Sequence, residues 1–368
     1  MPRQQSLANH LLHPLERGAR WATRTIRDAL ENRQQVTGNE RILLVRHRLH
    51  ITSYYRKFLD WVATELPDVR RYFELCTLPC RSRIDSRTRL VVPWVSENMV
   101  SRRPHVYRQL KELEAIANAG GIETINRVDR ILQALKLEAS EAIAAAGVRT
   151  PKMTRILDHR QFNRDFGGLH LPLLIRENRA HGGSTKSYLI RNRADVERVP
   201  LEKFEDPIAV EFINVQSPVD GYFRKYRYLA AGQRGIALSV QIAKEWEVRG
   251  TKRDLNAATC REEMEHQRQP DSNHQRFQQV RRILGLDVVA FDYSYTPTGD
   301  LVVWEINVLP GLGLEREPER QYINYAQRRA MAAIIELYLT RAGIEAPDSL
   351  SEIVATGWTP ASPVRRSA

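Results

Sequence analysis

Cysteine is scarce in this chain. Three occur in 368 residues, an odd number that closes no disulfide framework and fits a reducing cytoplasm. Cys76 and Cys80 form a C-x3-C pair, but no second pair or histidine cluster completes a zinc set, so both are expected to be structural. No apolar run approaches the ~20 residues that a membrane span needs. The N-terminus lacks a secretory apolar core, and Glu16, Asp28 and Glu31 interrupt its basic stretch, against a transit peptide. Internal repeats and low-complexity tracts are missing. So is any Ser/His/Asp or Cys/His grouping that would supply a protein nucleophile. Acidic residues are the minority charge: 44 Asp and Glu stand against 56 Lys and Arg, a net charge of +12. The basic residues are scattered, with no aromatic-and-basic run of the kind that stacks RNA, so nucleic acid is not the expected partner. The surplus reads as a solvated exterior with a share left for an anionic substrate. With 42% hydrophobic and 27% charged residues, the chain can bury two or three subdomains, as a cytoplasmic enzyme would.

What is present converges near the C-terminal end. Leu286 to Tyr295 reads as a strand, Thr296-Pro-Thr-Gly-Asp300 as a turn, and Leu301 to Asn307 as the returning strand. Alternation puts Glu305 and Asn307 on one face and Trp304 and Ile306 on the other. Asp292, on the paired strand, reaches the face of Glu305 and Asn307. Three hard oxygen donors there suit Mg²⁺, with Mn²⁺ an acceptable substitute. The alternative is a solvated polar edge. Removing one carboxylate from such a group is expected to relieve repulsion.

The segment Asp292 … Glu305-Ile-Asn307-Val-Leu-Pro310-Gly311 resembles the metal-binding end of ATP-grasp enzymes. Three further blocks follow that family's order over residues 121–340. Asn126-Arg-Val-Asp-Arg130 … Pro151-Lys-Met-Thr resembles its opening helix and loop. Leu173-Leu-Ile-Arg176 … His181-Gly-Gly-Ser-Thr185 is similar to its nucleotide strand and phosphate loop. Ile208-Ala-Val-Glu211-Phe-Ile213 is similar to the linker strand that meets adenine. The implied fold is α/β: an ATP-grasp domain behind an N-terminal α/β subdomain, similar to the glutathione synthetase and ribosomal-protein glutamate ligase group. The implied activity is an ATP- and Mg²⁺-dependent ligase joining a small-molecule or peptide carboxylate to an amine, or a thiol, through an acyl phosphate. A kinase that stops at phosphoryl transfer, or a nucleotide-binding module for peptide or RNA, are the alternatives. The assembly stays open, a homodimer included.

The resemblance also distributes roles. Arg130 and Arg176 stand where relatives carry phosphate-contacting lysines, and a guanidinium keeps that charge while matching phosphate oxygens. Arg130 also reads as a surface helix residue. His181, Gly182, Gly183, Ser184 and Thr185 offer main-chain N–H groups and hydroxyls to a triphosphate; Lys186 follows them. Glu211, Phe212 and Ile213 would flank the adenine and ribose, with Asp220 a second ribose carboxylate. Lys225 and Arg227 share a strand face, which favours an anion between them. Ala290 departs from the family, in which a basic residue commonly precedes the first metal carboxylate by two positions. Another cation must then stabilise the transferring phosphoryl group, and Lys225, Arg227, Arg249, Lys252 and Arg253 are the candidates.

The organisation expected from these blocks is a helical extension over 1–38, an α/β subdomain over 39–125, the ATP-grasp domain over 126–345 and a tail over 346–368. Within the third, a nucleotide lid covers about 150–213 and a metal-binding sheet about 214–340. Helical spacing predicts one helix from Val128 to Ile143 with Asn126 as its N-cap. The charged stretch 244–273 reads as a closing lid.

Overall fold

A computed structural model of the chain describes residues 38–49, 52–80, 83–179, 187–250 and 252–357. The extension over 1–37 and the end of the tail lie outside the described residues.

Three four-stranded sheets organise the rest. The first is parallel, with order β2-β1-β3-β4, from β1 (Arg41–Arg46), β2 (Phe73–Thr77), β3 (Thr88–Pro93) and β4 (Glu123–Thr124). β1 is buried along its whole length, which explains its unbroken apolar run Ile42-Leu-Leu-Val45: a parallel strand covered on both faces has no polar side to show. The helix Pro104–Ala119 packs through Val106, Leu110, Leu113 and Ala117, one helical face.

The second sheet is small and antiparallel, with order β5-β8-β6-β7: β5 (Met153–Arg155), β6 (Leu173–Glu177), β7 (Tyr188–Ile190) and β8 (Pro207–Glu211). It has its own apolar cluster around Phe162, Phe166, Leu173 and Ile175. The third, also antiparallel, has order β10-β9-β11-β12: β9 (Phe223–Ala231), β10 (Arg234–Ala243), β11 (Val288–Tyr295) and β12 (Leu301–Asn307). The hairpin read from the sequence is present, with Asp292 opposite Glu305, and β9 and β10 form a second one. One face of this sheet packs Phe291, Tyr293 and Val303 onto the helix His274–Leu284. The other packs Leu229, Ala231, Val288 and Ala290 onto the helix Asn324–Arg341.

Three expectations change. The helix from Val128 to Ile143 is broken into Val128–Ile131, a 3₁₀ turn Leu132–Ala134 and a helix Lys136–Ala145. Leu135 between them is extended, at φ −62° and ψ 147°. Asn126 is not the N-cap. Its buried side chain accepts from Asp287 and Val288 N–H at 2.7 and 2.9 Å and donates to Val288 O at 2.8 Å, tying this segment to β11. The stretch 244–273 is not one long loop, because Ala257–Arg268 is a helix started by an Asn256 capping box. Its Gln267 Nε2 donates to Leu238 O of β10 at 3.2 Å. Within 346–368, Asp348–Thr356 is likewise a helix, with Leu350 and Ile353 fully buried against Asn324–Arg341.

Candidate active site

The second and third sheets face each other across a cavity lined by β6, β9, β11 and β12 and by the segment that follows β8. A bulge shapes its floor. On β12, Glu305 pairs with Asp292 and Val303 with Tyr293, so Trp304 is the extra residue. Val303 and Ile306 both lie in the core beneath, while Trp304 and Glu305 both line the cavity. Strict alternation, which sent Trp304 to the opposite face, fails here because a bulge shifts the side-chain phase by one residue. The Trp304 Nε1–H donates to Ser294 Oγ at 2.7 Å, fixing the ring as a wall.

Asp292 is completely buried. Its carboxylate accepts two hydrogen bonds from Arg227, Nε at 2.5 Å and Nη2 at 2.8 Å, and Lys225 Nζ lies 3.5 Å away. Burial alone would raise its pKa; Arg227 and Lys225 outweigh burial and hold it down at about 2. The anion between the two cations of β9 is therefore this carboxylate, in place of the phosphate expected there. The same pairing corrects the expected relief of repulsion, since Asp292 is compensated by cations rather than crowded by like charges.

Glu305 lies 3.9 Å from Lys136 Nζ and 3.6 Å from Arg176 Nη2. Burial opposes ionisation, but those two cations keep its pKa below the usual value despite Asp292 nearby. Lys136 is buried, with its Nζ 3.5 Å from Asn178 O. Desolvation first, then Arg176, lowers its pKa. Asn307 is also buried, and its Nδ2 has no hydrogen-bond partner. Amide nitrogen and oxygen exchange by a flip, so this orphaned end can present oxygen to a cation. Two carboxylates and such an amide fit Mg²⁺ by donor chemistry. The four cations around two carboxylates leave two positive charges over, which suits a polyphosphate arriving with its metal.

The remaining candidates divide. Phe212 and Ile213 line the cavity, and Phe212 meets Trp246 edge to face at 6.0 Å. Glu211 instead accepts the Lys152 N–H at 2.9 Å, joining β8 to β5. Asp220 is held by Arg224, at 3.0 and 2.5 Å. Arg130 stands apart from the cluster, half-exposed beside Asp129. Arg249 lines the cavity and pairs with Glu247 at 2.5 Å; Lys252 is taken up by Glu245 and Glu247. Arg253 binds Glu263 and Tyr322 at 2.6 and 2.7 Å in a separate pocket. His181, Gly182, Gly183, Ser184, Thr185 and Lys186 lie outside the described residues. Lys136 went unrecognised in the sequence. The signal was a buried-facing lysine inside an apolar helical pattern, hidden by reading one helix through Leu135.

Compared by sequence, the chain matches no protein-family model and no curated protein. Its fold has clear counterparts. The D-Ala:D-Ser ligase VanG from Enterococcus faecalis aligns over 82% of this chain and 100% of its own, at 17% identity and a TM-score of 0.52. The D-alanine–D-alanine ligase from Bacillus anthracis, solved with ATP, aligns over 83% and 99%, at 11% identity and a TM-score of 0.50. The ATP-grasp ligase PsnB with a minimal precursor aligns over 83% and 100%, at 10% identity and a TM-score of 0.52. Together with the three-sheet architecture, these likenesses show that the chain has the ATP-grasp fold.

Proposed function

We propose that this chain is an ATP- and Mg²⁺-dependent ligase that activates a substrate carboxylate as an acyl phosphate and passes the acyl group to an amine or thiol. The observation that carries the reading is the cluster of Asp292, Glu305 and Asn307 inside a ring of Lys136, Arg176, Lys225 and Arg227. Such a surplus of fixed cations beside hard oxygen donors holds a triphosphate and favours charge developing on it. The named ligases that share the fold point the same way.

In this reading Phe212, Ile213 and Trp246 enclose the base, and Arg176 and Lys136 hold phosphate oxygens. Asp292, Glu305 and Asn307 would hold Mg²⁺, which supplies neutralisation of the β- and γ-phosphates when bound. Lys225 and Arg227 sit where the transferring phosphoryl group gathers charge. A carboxylate oxygen of the substrate attacks the γ-phosphorus and ADP leaves. The nucleophile then attacks the acyl carbon, phosphate departs, and the nucleophile loses its proton. No protein nucleophile takes part, so catalysis is positioning and electrostatics.

The test is product identity. With ATP, Mg²⁺ and a panel of amino acids, short peptides and simple acids, the expected products are ADP and phosphate, and a hydroxamate when hydroxylamine replaces the amine. AMP and pyrophosphate would overturn the acyl-phosphate route. A stable phosphorylated product without condensation would make the chain a kinase.

A further inference from the structure

The sheet face that carries the cluster does not end at β9. It continues onto β10, where Ser239 stands opposite Arg227 and Gln241 opposite Lys225. A bulge at Leu238 lets the strand pass from the apolar core to this polar pair. Above them is a second pocket, whose lining includes Arg227, Ser239, Gln241, Arg253 and Glu263. Arg227 lines this second pocket and is hydrogen-bonded to Asp292, which lines the first, so the pair joins the two. Arg227 Nε and Nη2 are committed to Asp292, and among the described residues its Nη1 makes no hydrogen bond.

The far wall carries an unsatisfied negative group. Glu263 is 1% exposed, and its Oε2 accepts from both Arg253 and Tyr322, each at 2.6 Å. Its Oε1 is buried without a partner, as is Gln241 Oε1. A buried carboxylate oxygen left unpaired is costly, and two such acceptors in one pocket call for a donor from outside the chain. Arg227 Nη1 offers the opposite: a donor for a carboxylate, directly beside the cluster where phosphoryl transfer is proposed.

Resting on the functional reading above, we infer that the activated substrate is an amino acid bound as a zwitterion. Its carboxylate lies on Arg227, and its ammonium is taken by Glu263 Oε1 and Gln241 Oε1. The carboxylate then faces the γ-phosphorus, forms the new P–O bond as the bond to ADP breaks, and becomes the acyl phosphate. The protonated amino group is held apart from the chemistry and cannot act as the nucleophile. Glu263 and Gln241 thus set specificity by demanding a positive charge, and an acid without one leaves their oxygens bare.

The experiment uses the full chain with ATP, Mg²⁺ and hydroxylamine. Three probe sets are compared: free amino acids, their N-acetyl forms, and the matching acids lacking the amine. Hydroxamate should form from free amino acids at least tenfold more efficiently than from either other set. Glu263→Gln should erase that preference by lowering kcat/KM for the amino acid while leaving the des-amino acid unchanged. Because Glu263 also pairs with Arg253, Gln241→Leu serves as a second variant that spares the pair, and it should reduce the preference in the same direction through KM. Calorimetric ATP binding to each protein is the independent readout and should be unchanged. Equal use of acetylated or des-amino acids, or hydroxamate from none of the sets with ATP bound, would overturn the inference. Failure of the parent chain to bind ATP would instead overturn the functional reading beneath it.

Discussion

At one end of β9 and β11, Leu229, Ala231, Val288 and Ala290 are sealed against the helix Asn324–Arg341. Two to four residues further along the same strands, on the same face, stand Lys225, Arg227 and Asp292. The backbone pairing is continuous across the boundary, so the difference lies wholly in the side chains and what covers them. The apolar end is held by area removed from water, which is tolerant of direction. The charged end is held by a few directed contacts, each of which leaves an uncompensated group if its partner is lost. One stretch of ladder thereby supplies an apolar support and a charged cluster held in place upon it.

The comparison breaks most sharply at Asp292 and Glu305. Either Asp292→Asn or Glu305→Gln should reduce ATP turnover by roughly 10²-fold or more, since each removes a hard, charged donor of the proposed Mg²⁺ site. Their stabilities should differ. Asp292→Asn strips Arg227 of its charged acceptor and should cost about 1–3 kcal/mol, below the value for a fully buried pair because the Arg227 side chain is 25% exposed. Glu305→Gln should melt near the parent temperature, because its cations stand at 3.6 and 3.9 Å without a hydrogen bond. Urea titration beside the turnover assay separates the two, and equal destabilisation would contradict the distinction.

At the apolar end the pattern should invert. Leu229 is fully buried, so Leu229→Ala should cost about 2–5 kcal/mol through lost contacts and a cavity. The folded fraction should still bind ATP with parental affinity, measured by calorimetry below the melting transition. An altered affinity would mean that the two ends are coupled.

Acid sharpens the contrast next. Asp292 has its pKa held at about 2 in the folded protein, below the unfolded value of about 3.9. Its contribution is therefore fully present above about pH 4 and lost as pH falls towards 2, on the order of 2 kcal/mol. The stability difference between parent and Asp292→Asn should shrink over that interval. Leu229→Ala should show a difference independent of pH.

The smallest expected effect separates the two basic residues of the opening helices. Lys136→Met should weaken ATP binding about tenfold, the worth of one charge-assisted contact. Arg130→Ala should change it by less than about twofold, as for a solvated surface charge. The reverse order would return Arg130 to the phosphate site.

Some features needed no structure. The hairpin Asp292–Asn307 was readable because a period of two and a Pro-Thr-Gly turn are local signals. The break at Leu135 was not readable. Its helical pattern is apolar on both sides, and only packing beneath β12 selects an extended residue there.

The sequence by itself determined the residue types that chemistry requires and the order of blocks that resembles the ATP-grasp family, because both are properties of the chain taken in order. Tertiary structure alone decided which cation meets which carboxylate. The bulge at Trp304 turned Glu305 towards Lys136 and Arg176, and the register of β9 against β11 placed Arg227 on Asp292. It also turned twelve residues of a charged stretch into a helix that carries Glu263 into the pocket that Arg227 lines. Charge pairing depends on distances of a few ångströms between residues far apart in sequence, and only the packed sheet sets them.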